Sequence, residues 1–213
     1  MLEHLAAFYG VERQVVQAAD ATANPPIPLI LEDDERLRAR AQLAPESFTT
    51  AGSEGSYRFW ALAASSEVKD VAVQEGDPGD VILTILSTDG SGIAGQPLLD
   101  LVFDEVYPRR PLTDRVTVQS ATILEYQVPA VLTLYDGPDA EVVRTASQNA
   151  AQAYVDGNHK LGHDITIAGL HAALYVPGVQ NVDLGTFAAD LIIGPTEVGF
   201  CTLLTVTVGG RDV

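Results

Sequence analysis

The chain has 213 residues, 46% of them hydrophobic, and a formal net charge of -17. That length and apolar content supply one large core or two small ones and argue against a disordered chain. The charge opposes polyphosphates, which proteins hold by displacing counterions with lysine and arginine, so nucleic acid and anionic membrane are excluded as favoured partners.

Residues 1 to 20 carry Leu2, Leu5, Ala6, Tyr9 and Val16 near helical spacing, which reads as the tail of a helical region that Gly10 interrupts and Asn24-Pro-Pro-Ile-Pro28 ends. Asp33 to Ala44 forms a helix: Asp33, Asp34 and Glu35 fill its first turn, Arg38 and Arg40 follow, and Leu37, Ala41 and Ala44 make its apolar stripe. Its charges are expected on a solvated face. Ser53 is placed to cap the next helix, Tyr57 to Ser65, where Trp60 is a packing anchor. Val68 to Gln74 alternates as a strand, and the turn EGDPGD leads to a second strand, Val81 to Ser87, apolar on both faces and hence central. Pro97 then opens a helix carrying Leu98, Leu99, Val102, Phe103 and Val106, which Pro108 closes.

A strand follows RRPLTDRVTVQ (Arg109 to Gln119), and a longer one spans Ala121 to Tyr135, with Pro129 expected at a bulge or sheet edge. Pro138 begins the longest helix, with Val143, Ala146, Ala150 and Ala153 on one face and Gly157 at its end. A helix from Thr166 to Val176 and strands at Val179 to Leu184, Leu191 to Ile193 and Phe200 to Val208 complete the chain. Two segments echo earlier ones at different offsets. KLGHDITI (Lys160 to Ile167) lines up with Arg109 to Gln119, and LYVPGVQNVDL (Leu174 to Leu184) with AASSEVKDVAV (Ala63 to Val73). The fold class is α+β: a helical N-terminal region and connector over 1–55, then two small helix-and-sheet units with mixed sheets over 56–119 and 120–213.

Few residues suggest chemistry. Gly90, Gly92 and Gly95 in GSGIAG have dinucleotide-fingerprint spacing between a strand and a helix, so a nucleotide-binding enzyme is the alternative reading. Three features weaken it: Pro97 starts the helix after the third glycine, the candidate acid Asp114 lies in a loop, and the preceding strand belongs to a hairpin. His159 and His163, beside Asp156 and Asp164, have zinc-compatible spacing, but Gly157 and Gly162 break the helix that would align them and His171 is distant. Cys201 is alone in an apolar strand, where it reads as a buried thiol in a protein of a reducing compartment. No catalytic, metal or cofactor site is assigned. Arg109, Arg110 and Arg115, with Asp114, cluster in an otherwise acidic chain and are the candidate partner interface, a reading that competes with helix capping and internal ion pairs. The N-terminus has neither a basic region nor a long apolar core, so a soluble, unprocessed protein made in the cytosol is expected.

LAPESFTTAGSEGSY (Leu43 to Tyr57), RPLTDRVTV (Arg110 to Val118), LTLYDGPDAEVV (Leu132 to Val143), GVQNVDL (Gly178 to Leu184) and CTLLTVTVGGRD (Cys201 to Asp212) occur in an order that resembles the baseplate assembly protein J family of contractile-tailed phages. The start, LEHLAAFYGVERQ, resembles the helix that in this family follows a further N-terminal segment, which implies a shortened member or a fragment. The resemblance implies a non-enzymatic wedge component of a virion or tail-like particle baseplate. It implies contacts with other wedge proteins and further copies of itself in ring assembly and contraction triggering, without cofactor or small-molecule substrate.

Overall fold

The computed structural model describes residues 1–49, 51–137 and 139–212 and divides into two compact units, Met1–Ala121 and Thr122 onward. Both are α+β. The first begins with α1 (Leu2–Phe8), a ribbon of β1 (Val15–Gln17) and β2 (Ile30–Leu31), and α2 (Asp34–Leu43). Helix ends at Phe8, just ahead of the interruption expected at Gly10, and Val16, read at helical spacing, lies in a strand. Gly10 adopts a positive φ of 73°, and the β-branched pair Val15-Val16 goes into the ribbon. A short 3-10 turn (Ala44–Phe48) leads to α3 (Glu54–Ala64), whose N-cap Ser53 accepts from the Ser56 amide as expected. Ala6, Leu37, Ala41 and Ala44 pack with Phe59, so the N-terminal helices seat on α3.

The sheet of the first unit has the order β3-β4-β5, from β3 (Val68–Glu75), β4 (Asp80–Ser87) and β5 (Arg115–Ser120). β4 is central, as its two-sided apolar pattern requires. It pairs antiparallel with β3 and parallel with β5. A parallel pair needs a crossover, and α4 (Gln96–Val106) supplies it, burying Leu98, Val102 and Val106 against Leu83, Ile85, Val71 and Val116. β4 therefore closes a hairpin and opens a βαβ crossover at once, which corrects the expectation that it served a hairpin alone.

The second sheet has the order β7-β6-β8, from β6 (Thr122–Tyr135), β7 (Val179–Asp183) and β8 (Glu197–Asp212). Its central strand again has one antiparallel and one parallel neighbour. Pro129 neither ends nor bulges β6. It lies opposite Thr205 of β8, and β7 pairs only along Val131 to Leu134, so no ladder bond is asked of the proline on that side. α5 (Ala140–Asn158) is capped by Asp139, which accepts from the Glu141 and Val142 amides; Pro138, expected to open this helix, lies outside the described residues. The buried stripe of α5 is Val143, Ser147, Ala151 and Val155, which shares Val143 with the stripe read from sequence and then departs from it. Ser147 takes the place of an alanine because its hydroxyl donates to the Leu174 carbonyl at 2.8 Å. α6 (Ile167–Leu174) completes the layer.

The two sequence echoes fare differently. Val68 and Val71 in β3, and Val179 and Val182 in β7, are all buried at the first and fourth positions of an antiparallel strand that follows a helix. Lys160 to Ile167 is not a second β5: Ile165 forms an isolated bridge with Leu191, and Thr166 caps α6.

Candidate interaction surface

Arg109 to Arg115 leaves α4 through a 3-10 turn (Tyr107–Arg109) and enters β5. Each charged residue there has an internal partner. The Arg109 guanidinium donates to the Glu105 carbonyl, stands 3.1 Å from the Glu105 carboxylate and lies 4.1 Å above the Trp60 ring centroid. Arg110 stacks 3.6 Å above the Tyr107 ring and donates to the Asp114 and Tyr107 carbonyls, both at 2.9 Å. Arg115 pairs with Asp80 at 2.6 Å, and its amide donates to the Gly79 carbonyl. Asp114 accepts from the Tyr57 hydroxyl at 2.7 Å. Burial first, and then that bond to Asp114, pushes the Tyr57 phenol well above its ordinary value of 10.0.

The stretch therefore ties α3, α4 and the β3–β4 turn to β5. Its fit extends to Gly52, which has a φ of +70° and whose missing Cβ would lie 2.7 Å from the Pro111 ring. The outer side stays open: the Arg115 side chain is 71% exposed and Leu112 is 96% exposed. Trp60, read from sequence as a packing anchor alone, also serves as a cation–π platform.

Beside this stretch lies a cleft of about 340 Å³ lined by Glu54, Tyr57, Glu75, Asp77, Asp80 and Asp114 among others. Among the described residues no group of three or more histidine, cysteine or acidic side chains has metal-binding geometry. His159 is the C-cap of α5 and His163 lies in the loop after it, so they share no helix face. Cys201 is half-buried, and desolvation raises its thiol pKa. The glycine loop is closed on itself: the Gly92 amide donates to the Asp89 carbonyl at 2.9 Å, the Ser87 amide to the Gly92 carbonyl, and the Ala94 amide to the Ser120 hydroxyl at 2.9 Å. The Gly92 amide is spent inside the turn and the Ala94 amide on β5, where a dinucleotide fingerprint would aim them at a pyrophosphate.

One cluster went unread in the sequence. The buried Glu32 carboxylate sits 2.5 Å from Arg40 and 3.1 Å from Arg36. Arg36 also donates to the carbonyls of Leu62, Ser65 and Val68. The charges of α2 expected on a solvated face are thus divided: Arg38 is exposed, while Arg40 is buried. Helical spacing from Leu37 and Ala41 puts Arg40 on the inner face, and only its tertiary partners make that burial tolerable.

Comparison with known proteins bears on the whole chain. The Baseplate J-like central domain matches residues 49–120 and the Baseplate J-like protein C-terminal domain matches residues 126–208. Baseplate protein J of Escherichia phage P2 is 39% identical over 213 residues, covering 99% of this chain and 70% of that protein. The chain belongs to the baseplate J family. This baseplate J chain is a structural component of the phage-tail baseplate. A chain of the anti-feeding prophage baseplate, solved by cryo-EM with 6-fold symmetrisation, superposes with a TM-score of 0.54 at 14% identity. At that identity the likeness concerns the fold; it covers 84% of the baseplate J chain and 46% of the prophage chain. The nucleotide-binding alternative finds no support in these relatives.

Proposed function

We propose that the chain is a non-enzymatic wedge component. In this reading several copies join one another and other baseplate proteins into a ring and take part in triggering contraction. The family match along nearly the entire chain carries the proposal, and the 6-fold symmetrised baseplate that holds the similar fold supports repeated copies. Within it, the loop of Arg109, Arg110, Asp114 and Arg115 is a partner contact. Its inner atoms hold the loop rigid, and rigid presentation lowers the ordering cost of association, while Leu112 and the open side of Arg115 face outward.

The test is recovery of baseplates from cells assembling the particle with a tagged copy of this chain. Stoichiometric, multi-copy incorporation is expected, and baseplates lacking the chain would reject the assignment. For the loop, Leu112→Ser with Arg115→Gln should lower incorporation while circular dichroism stays native; undiminished incorporation rejects that contact alone.

A further inference from the structure

Resting on the baseplate reading, we propose that the outer face of α4 docks an amphipathic, basic segment of a different baseplate chain. The inner face of α4 is accounted for by Leu98, Val102 and Val106 in the core. Outward stand Pro97 and Leu101, four residues apart on α4, and Pro108 in the 3-10 turn that continues it, all exposed. Ile93 precedes this row at 61% exposure and Leu101 has 54%. A surface helix ordinarily turns polar side chains to this side, and a run of exposed apolar groups marks a contact surface.

The charge beside the row states the chemistry of what covers it. Asp100 and Asp104 are exposed one turn apart, and α4 has no basic residue in its last turn. Like charges at that spacing repel, and an acid at the carboxyl end of a helix opposes the macrodipole. Glu105 is relieved by Arg109 and Asp100 accepts from Gln96 at 2.7 Å, but Asp104 has no ion pair among the described residues. The isolated chain bears this cost, and lysine or arginine on a docked segment removes it. A second copy is the poorer occupant: it brings a further -17, and eight of its ten arginines, Arg13, Arg36, Arg38, Arg40, Arg58, Arg109, Arg115 and Arg144, already sit in ion pairs.

A photo-crosslinking residue at Leu101, and separately at Ile93, in the full chain carried into assembled baseplates tests this directly. The expected product joins the position to an apolar, lysine- or arginine-bearing segment of another protein, identified by mass spectrometry. Crosslinking to a second copy overturns the occupant. Baseplates that contain the chain yet yield no crosslink at either position overturn the surface and leave the baseplate reading standing; baseplates without even the unmodified chain overturn both. A second measurement uses Asp104→Asn, which should raise the melting temperature of the isolated chain while lowering its incorporation several-fold. The neutral control Glu125→Gln, at an exposed strand position, should do neither. Unchanged incorporation of Asp104→Asn overturns the electrostatic part of the proposal.

Discussion

Glu32 places its carboxylate between two guanidiniums inside the first unit, so removing it strands charge in a low-dielectric site. Glu32→Ala is expected to destabilise by about 3–5 kcal/mol in urea unfolding, whereas Arg38→Ala, on an exposed pair, should stay within about 0.5 kcal/mol. Equal effects would show that the buried cluster has no special weight. Tyr57 gives a pH signature. Its phenol pKa is raised in the folded state, so its contribution to stability is fully present below the ordinary value of 10.0 and is lost as pH rises beyond it. Alkaline unfolding monitored with tyrosinate absorbance should begin there, and Tyr57→Phe should shift the transition to higher pH. An unmoved transition assigns it to other groups, of which buried Tyr126, raised mainly by desolvation, is the first to examine. Gly52 offers a local test of the arginine loop: its left-handed backbone and the close Pro111 ring make Gly52→Ala destabilising by about 1–3 kcal/mol.

At the level of elements, the Ser53 cap was readable because capping depends on neighbours a few residues apart. Ser53 caps α3 and Asp139 caps α5, and replacing either with alanine should cost about 1 kcal/mol in thermal or urea unfolding. The phase of α5 was not readable, because its outer face carries almost as many small residues as its inner one. Ser147 reaches the Leu174 carbonyl only once α6 is in place. The same limit applies to Pro129: a proline is barred from the middle of a ladder only where its missing amide is needed, and the short reach of β7 removes that need. In the arginine loop, the clustering of arginines was visible, but Trp60 and Asp80 as partners were not, since those contacts join residues far apart in the chain; the stacking of Arg110 on Tyr107 is local, three residues apart.

Across the whole molecule, 29 acidic residues face 12 basic ones, and self-repulsion opposes the compact state until salt screens it. Raising ionic strength from low salt to about 0.15 M should therefore raise the melting temperature, by roughly 2–4 °C for each kcal/mol gained. A fall would mean that the internal ion pairs outweigh the net charge. Among the described residues no helix is long and apolar enough to cross a membrane. Each unit builds its sheet around a central strand with one antiparallel and one parallel neighbour, and each therefore needs helices to carry the chain across.

By itself the sequence determined the α+β class, most helix starts, the central place of β4 and, through ordered blocks, the resemblance to a baseplate family. Those properties follow from periodicity, capping and composition, which act over a few residues or are carried in the residue order itself. Only the tertiary structure decided which charges of α2 lie inside, which partners hold Arg109, Arg110 and Arg115, that the Gly92 and Ala94 amides of the glycine loop are spent within the protein, and that the outer face of α4 is exposed. Some of these pairings are local, as between Glu32 and Arg36, but the burial that gives them weight comes from segments tens of positions away, as when Arg36 meets the carbonyls of Leu62, Ser65 and Val68.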